Sequence, residues 1–340
     1  MTRMQCVVLK EAIDHKPRAS DFTLVEADRP VCPDAGVLVR VVHLSLDPYV
    51  GSRLRGRHMG EVPPEPMKGP IPGAVVGQVI ESRSAMAAEG DWIQSMEGGW
   101  QEYAALPSGH FRKIDPVAAP LSAHAGVLGM PGLTAWAGIT QLARVGKGDT
   151  VLVDAAAGPV GGTAGQIARI KGAERVVGIA GGEEKCALVL DTYGFDACID
   201  YKKDGWREAL KEALPEGLSV FFENVSADMA MTALSHARPY TRGVLCGLVD
   251  AYHAQAQSQH ALNAGLIIGK RAQISGLVVY DFYARWDEYV AEASPWITSG
   301  QLKFVEDRAE GLTSAPALFE RLMDGQNKGK AVVTVSPEAS

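Results

Sequence analysis

The chain has 340 residues, 46% of them hydrophobic and 21% charged, with a formal net charge of −7. That length exceeds what one compact domain usually holds and implies two. The acidic balance and the lack of any basic run exclude a nucleic-acid surface, and no apolar run is long enough to cross a bilayer.

The stretch up to about Pro120 reads as strands and loops. Val37–Leu46 is rich in β-branched and apolar residues, and Gly73–Ile80 and Trp92–Gln94 look like further strands. Pro63-Pro64-Glu65-Pro66 and Pro70-Ile71-Pro72-Gly73 break the chain into irregular loops between them. From about Ser122 the pattern changes to short apolar runs alternating with helical stretches. The runs are Val151–Val153, Arg175–Ile179, Ala197–Ile199, Ser219–Phe222, Gly243–Leu248 and Gln273–Val279. Between them, helices are predicted over Glu183–Leu190, Trp206–Leu214 and Met229–His236, with a longer one over Ala284–Ser299. Such alternation is the mark of a parallel sheet flanked by helices. The last forty residues end in a strand, Gly329–Val335, and are expected to fold back onto the first domain.

The first strand of the alternating region runs directly into Asp154-Ala155-Ala156-Ala157-Gly158-Pro159-Val160-Gly161-Gly162, and a helix follows with Ala164, Ile167, Ala168 and Ile170 on one face. Small side chains let the backbone approach a pyrophosphate, and the helix N-terminus favours its charge. Ala155 stands where the common fingerprint has its first glycine, so the loop by itself is a modest signal. The next predicted strand ends at Ala180 or Gly181 without the acid that commonly holds a ribose 2′-hydroxyl. This leaves room for a phosphate, and Lys185 lies one helical turn further on. On its own, Lys185 reads as an exposed helix-surface lysine pairing with a glutamate.

The five cysteines, Cys6, Cys32, Cys186, Cys198 and Cys246, are scattered, with no C-x-x-C pair. They read as small buried hydrophobes in a reducing compartment. The histidines show no metal-ligand spacing. The charged start, Met1 to Lys10, is not a secretory signal, so a cytoplasmic location is expected.

Seven motifs, in order along nearly the whole chain, carry a resemblance. They are Leu44-Ser45-Leu46-Asp47-Pro48-Tyr49, Gly129-Met130-Pro131-Gly132-Leu133-Thr134-Ala135, the loop Ala155 to Gly165, Phe222-Glu223-Asn224-Val225, Cys246 to Tyr252, Gly276-Leu277-Val278-Val279, and Gly325 to Lys330. Together they resemble the zinc-free medium-chain dehydrogenase/reductases, the group of leukotriene B4 dehydrogenase/prostaglandin reductase and of alkenal and curcumin double-bond reductases. The resemblance implies a GroES-like β-rich catalytic domain over residues 1–124, a Rossmann-type doubly wound parallel sheet over 125–299, and a C-terminal segment, 300–340, returning to the first domain. It implies NADPH or NADP+ as cofactor, an α,β-unsaturated ketone or aldehyde as substrate, and a homodimer.

Site residues follow from the same likeness. Cofactor contacts are expected from Pro48, Thr134, Gly158, Pro159, Val160, Gly161, Gly162, Lys185, Tyr201, Asn224, Cys246, Gly247, Leu248, Val249, Tyr252, Leu277, Val278, Val279 and Asn327. Tyr252 is the candidate catalytic group, because a phenol can donate a hydrogen bond to a developing enolate. Tyr49 is a second candidate at the pocket. Asn224 and Asn327 also read as turn residues, and Tyr252 as a packing tyrosine. No metal ligand is expected, since Gly69–Gly73 stands where zinc-dependent relatives carry Gly-His-Glu. Gly51 replaces an arginine found after Asp-Pro-Tyr in many relatives, and Gly182 a frequent serine. A quinone reductase, or a non-catalytic NADPH-binding protein, remains an alternative.

Overall fold

The computed structural model describes residues 2–59, 61–247 and 261–338. These fall into two compact units, one formed by the chain up to Gly129 together with the chain from Glu306, the other by Met130 to Val305.

The first unit is built on a seven-stranded sheet. β1 (Arg3–Leu9) and β2 (Phe22–Asp28) form an antiparallel ribbon beside it. The sheet takes in β3 (Val37–Ser45), β4 (Val75–Ser82), β5 (Trp92–Ser95), β6 (Tyr103–Leu106) and β7 (Arg112–Lys113). The central strand is β3, whose alternation of β-branched residues is buried on both faces. A six-residue helix, α1 (Tyr49–Leu54), follows it directly. The core joins Val37, Val39, Val41, Leu44 and Leu46 to Phe22, Trp100 and Phe319. Phe22 and Trp100 stack at 5.4 Å, and Phe319 meets Trp100 edge-on at 5.3 Å.

The second unit carries six strands, β8 (Thr150–Val153), β9 (Arg175–Ala180), β10 (Ala197–Asp200), β11 (Leu218–Glu223), β12 (Ala237–Leu245) and β13 (Gln273–Gly276). All their pairings are parallel, in the order β10-β9-β8-β11-β12-β13. The order reverses between β8 and β11, which is the switch point where doubly wound sheets bind ligands. Helices α2 (Met130–Trp136), α3 (Pro159–Ile170), α4 (Glu183–Ala187), α5 (Trp206–Ala213), α6 (Ala227–Ser235), α7 (Ala264–Lys270) and α8 (Trp286–Thr298) accompany it.

The chain then returns to the first unit with β14 (Glu306–Glu310), α9 (Ala315–Met323) and β15 (Lys330–Thr334). β15 is not an edge strand. It lies between β14, to which it is parallel, and β3, to which it is antiparallel.

Three of the differences from the sequence-based expectation have a structural reason. The strand expected over Gly243–Leu248 begins at Ala237, which pairs with Leu218; the register then shifts, and Arg242 pairs with Val220. The strand expected to run to Val279 stops at Gly276. β12 ends at Leu245, the Leu277 N–H makes the last bond to Leu245 O at 2.9 Å, and Val279–Arg285 turns into a 3₁₀ helix. The helix expected over Glu183–Leu190 widens into a π-helical turn at Leu188–Thr192.

Candidate cofactor and substrate site

The loop after β8 makes a cradle out of backbone. Ala155 is left-handed, at φ 43°, a conformation costly for a residue with a Cβ. It turns its carbonyl toward the start of α3, where a Cβ on Gly161 would lie 2.5 Å from Ala155 O and 2.8 Å from Asp154 O. No side chain fits there. Gly158 is the N-cap of α3 and Pro159 its first residue, and no side chain caps the helix. The first-turn N–H groups are thus left to a ligand, which suits an anionic pyrophosphate.

Gly162 and Gly165 have a different reason to be small. Cβ atoms there would meet the rings of Tyr193 at 2.5 Å and of Phe195 at 1.9 Å. The Gly162 N–H is bonded to Gly158 O at 2.9 Å. The π-helical turn before Tyr193 brings these rings onto α3, so Gly162 serves helix packing.

At the ends of β9 and β10, Tyr201 lies over Gly181, whose added Cβ would come within 2.8 Å of the ring. Tyr201 is 45% exposed, enough to offer a face to a ligand. Gly182 has φ 102° and its N–H donates to Asp200 Oδ1 at 2.8 Å. A serine there would strain the backbone. Lys185 follows in the first turn of α4, partly exposed, after Glu183 and Glu184.

The ends of β8 and β11 meet in a buried polar cluster. The Asn224 N–H donates to Asp154 Oδ1 at 2.6 Å, and its Nδ2 donates to Asp154 Oδ1 and Asp154 O, both at 3.2 Å. Glu223 Oε1 accepts the N–H groups of Val225 and Ser226, both at 2.7 Å. The N–H groups of Cys246 and Gly247 donate to Glu223 O at 2.8 and 3.3 Å. Burial, with the two carboxylates close by, pushes the Cys246 thiol up to about 12, so it stays protonated. The cluster was missed by sequence reasoning. The available signal was an acid closing each of two buried strands, Asp154 after Val151–Val153 and Glu223 after Phe221–Phe222.

Gly158 to Gly162, Lys185, Tyr201, Asn224, Cys246, Gly247 and Leu277 therefore gather along one carboxyl edge of the parallel sheet. Val278 and Val279 lead away from it into the 3₁₀ turn. Thr134 is buried in α2 and its hydroxyl donates to Met130 O at 2.7 Å. Leu248, Val249 and Tyr252 lie outside the described residues.

In the first unit, Pro48 caps α1 and Tyr49 opens it, with its ring 5.0 Å from that of His58. Beneath them is a buried ion pair. Lys330 Nζ donates to Asp47 Oδ1 at 3.0 Å and to Leu46 O, while Ser45 Oγ donates to Asp47 Oδ2 at 2.5 Å. Asn327 is buried, and its Nδ2 donates to Gly329 O at 2.8 Å within the turn that leads to Lys330. An arginine at Gly51 would have to displace the tip of Met323, 2.7 Å from a Cβ built there. Arg53, two residues on, pairs with Glu61 at 2.5 Å. Among the described residues no group of three or more His, Cys, Asp or Glu is placed to hold a metal.

Residues 5–114 match a family model described as the N-terminal domain of oxidoreductase, and residues 159–296 one described as zinc-binding dehydrogenase. The chain is 36% identical to a 2-alkenal reductase (NADP(+)-dependent) of Nicotiana tabacum, over 98% of this chain and 97% of the other. It is 35% identical to the NADPH-dependent curcumin reductase of Escherichia coli (strain K12), over 94% and 93%. The crystal structure of CurA in complex with NADPH from Vibrio vulnificus superposes with a TM-score of 0.89 at 34% identity, covering 98% of this chain and 100% of that one.

Proposed function

The chain belongs to the zinc-free medium-chain dehydrogenase/reductases that include the alkenal and curcumin reductases, and from that premise we propose that it is an NADPH-dependent reductase of the carbon–carbon double bond in α,β-unsaturated ketones or aldehydes. The cofactor, when bound, supplies a hydride to the β-carbon of the conjugated carbonyl. The observation that carries the reading is the cradle after β8, whose shape and unfilled helix N-terminus fit a dinucleotide, in a chain that matches double-bond reductases from end to end.

The chain's own residues divide the remaining work. Gly158, Pro159, Val160 and Gly161 hold the pyrophosphate by backbone. Lys185 provides positive charge for a 2′-phosphate, and Tyr201 provides a face beside it. Asn224 spends both Nδ2 hydrogens on Asp154, so it offers its carbonyl oxygen, an acceptor suited to a ribose hydroxyl or a carboxamide N–H. Tyr252 donates a hydrogen bond to the substrate carbonyl oxygen and stabilises the enolate that forms there. Protonation at the α-carbon completes the reduction. Tyr49 helps to wall the pocket. A homodimer and a cytoplasmic location complete the reading.

The test is NADPH consumption with a panel of enones, enals and quinones, with NADH in parallel and Tyr252→Phe run on the same panel. We expect oxidation of NADPH with enones, product saturated at the carbon–carbon bond, and a variant whose turnover falls while NADPH still binds. Turnover with quinones alone would make it a quinone reductase. Binding of NADPH without turnover on any of the panel would overturn the enzymatic reading.

A further inference from the structure

The carboxylates of Asp154 and Glu223 end adjacent strands at the switch point and are both buried, 3% and 2% exposed. Their donors can be counted atom by atom. Asp154 Oδ1 takes the two bonds from Asn224. Glu223 Oε1 takes the Val225 and Ser226 N–H groups. Asp154 Oδ2 is fully buried and has no hydrogen-bond partner among the protein's fixed donors. No lysine, arginine or histidine hydrogen-bonds either carboxylate among the described residues, and the titratable group facing them from the end of β12 is the Cys246 thiol.

Two like charges this close and this deep cannot both persist without a cation. A single proton removes the difficulty, because a protonated Glu223 becomes the donor that Asp154 Oδ2 lacks. We propose that Asp154 and Glu223 share one proton, and that this pair is a positioning device which fixes Asn224 as an acceptor and sets the start of the cofactor loop at Ala155. Burial, and then the neighbouring Asp154 charge, push the Glu223 carboxyl up to about 11; burial pushes Asp154 up as well. The shared proton also keeps the pair at one negative charge instead of two, beside a loop meant for a pyrophosphate.

The proton itself is independent of the reductase reading; its consequence for Asn224 and cofactor binding rests on that reading. The test separates them. In the ligand-free full chain, infrared difference spectra between wild type and Glu223→Gln at neutral pH should show a protonated carboxylic acid present only in wild type. Glu223→Gln mimics the protonated acid at every pH. A folded-state pKa above the unfolded one gives stability that is complete below the unfolded value and is lost as pH rises toward the folded one. Wild type should therefore lose Tm relative to Glu223→Gln steadily from about pH 5 upward. A missing acid band, with parallel Tm profiles for the two proteins, would overturn the shared proton.

For the cofactor, NADPH affinity measured by fluorescence should stay within about threefold of wild type in Glu223→Gln, and should fall tenfold or more in Glu223→Leu, about 1.4 kcal/mol. The Leu variant removes both the donor to Asp154 and the acceptor for Val225 and Ser226. Its folding is checked by Tm and circular dichroism. A folded Leu variant with wild-type affinity would overturn the positioning role while leaving the shared proton standing.

Discussion

In the proposed reading, cofactor preference turns on Lys185. It lies in a short helix, directly after the two glutamates that open it, past a strand end with no acid of its own. A charge-assisted contact to a phosphate is worth about 1.5–3 kcal/mol, so Lys185→Ala should weaken NADPH binding roughly 10- to 100-fold and leave NADH unchanged. Titrating both cofactors by fluorescence checks this, and equal losses for the two would remove Lys185 from the 2′-phosphate. Lys185 was singled out by the likeness to relatives, since on its own it read as a surface lysine. The sequence itself pointed to Gly158 and Gly161, because small residues before a helix are a local pattern, and the cradle explains their smallness. It did not point to the Asp154–Glu223 pair, because their contact exists only once β8 and β11 lie side by side, and strand order is not written in either strand. Nor did it separate Gly161 from Gly162. The aromatic rings that need Gly162 and Gly165 come from a π-helical turn some thirty residues away.

At the scale of elements, the buried Lys330–Asp47 pair joins the start of β15 to the segment between β3 and α1. Its two charged groups are almost wholly buried, and burial pulls the Lys330 ammonium down while Asp47 holds it up. Removing one partner leaves an uncompensated buried charge, which costs about 3–5 kcal/mol. Lys330→Met should therefore lower unfolding stability by that amount, and Asp47→Asn added to it should recover part of the loss. Denaturant titration of the three variants decides it, and additive losses would mean the two residues act independently. Both residues were visible, in Asp47-Pro48-Tyr49 and Asn327-Lys328-Gly329-Lys330, yet nothing local said they would meet. Apolar runs did reveal the parallel strands. Their ends were less legible, because an end is set by where a neighbour stops, as Leu245 does for Gly276.

At the scale of the molecule, the first unit is discontinuous in sequence, and the second is inserted between its two segments along the chain. β15 fills the gap between β14 and β3, with Val332 and Val333 fully buried. Ending the chain at Gly329 should remove protection from hydrogen exchange throughout the first sheet while the amides of the parallel sheet keep theirs. Retained protection in β3 and β4 would show that the sheet closes without its late strand. The change from a β-rich opening to strand–helix alternation was plain in the sequence, since it is a change of period. That a late strand would sit inside the first sheet was a question of pairing, which the period does not report.

The position of β15 also bears on the order in which the protein is completed as it is synthesised. Domains commonly fold one after another as they emerge, the N-terminal one first. Here the strand that pairs with His43–Ser45 of β3 is translated after every residue of the parallel sheet. The nucleotide-binding unit can finish while the earlier-made unit still waits with the His43–Ser45 part of the β3 edge unpaired, the Val37–Arg40 part being covered by β6. An unpaired apolar edge is a site for wrong partners. The nascent chain is therefore most open to misassembly at the His43–Ser45 end of β3, in the interval before Lys330–Thr334 arrives.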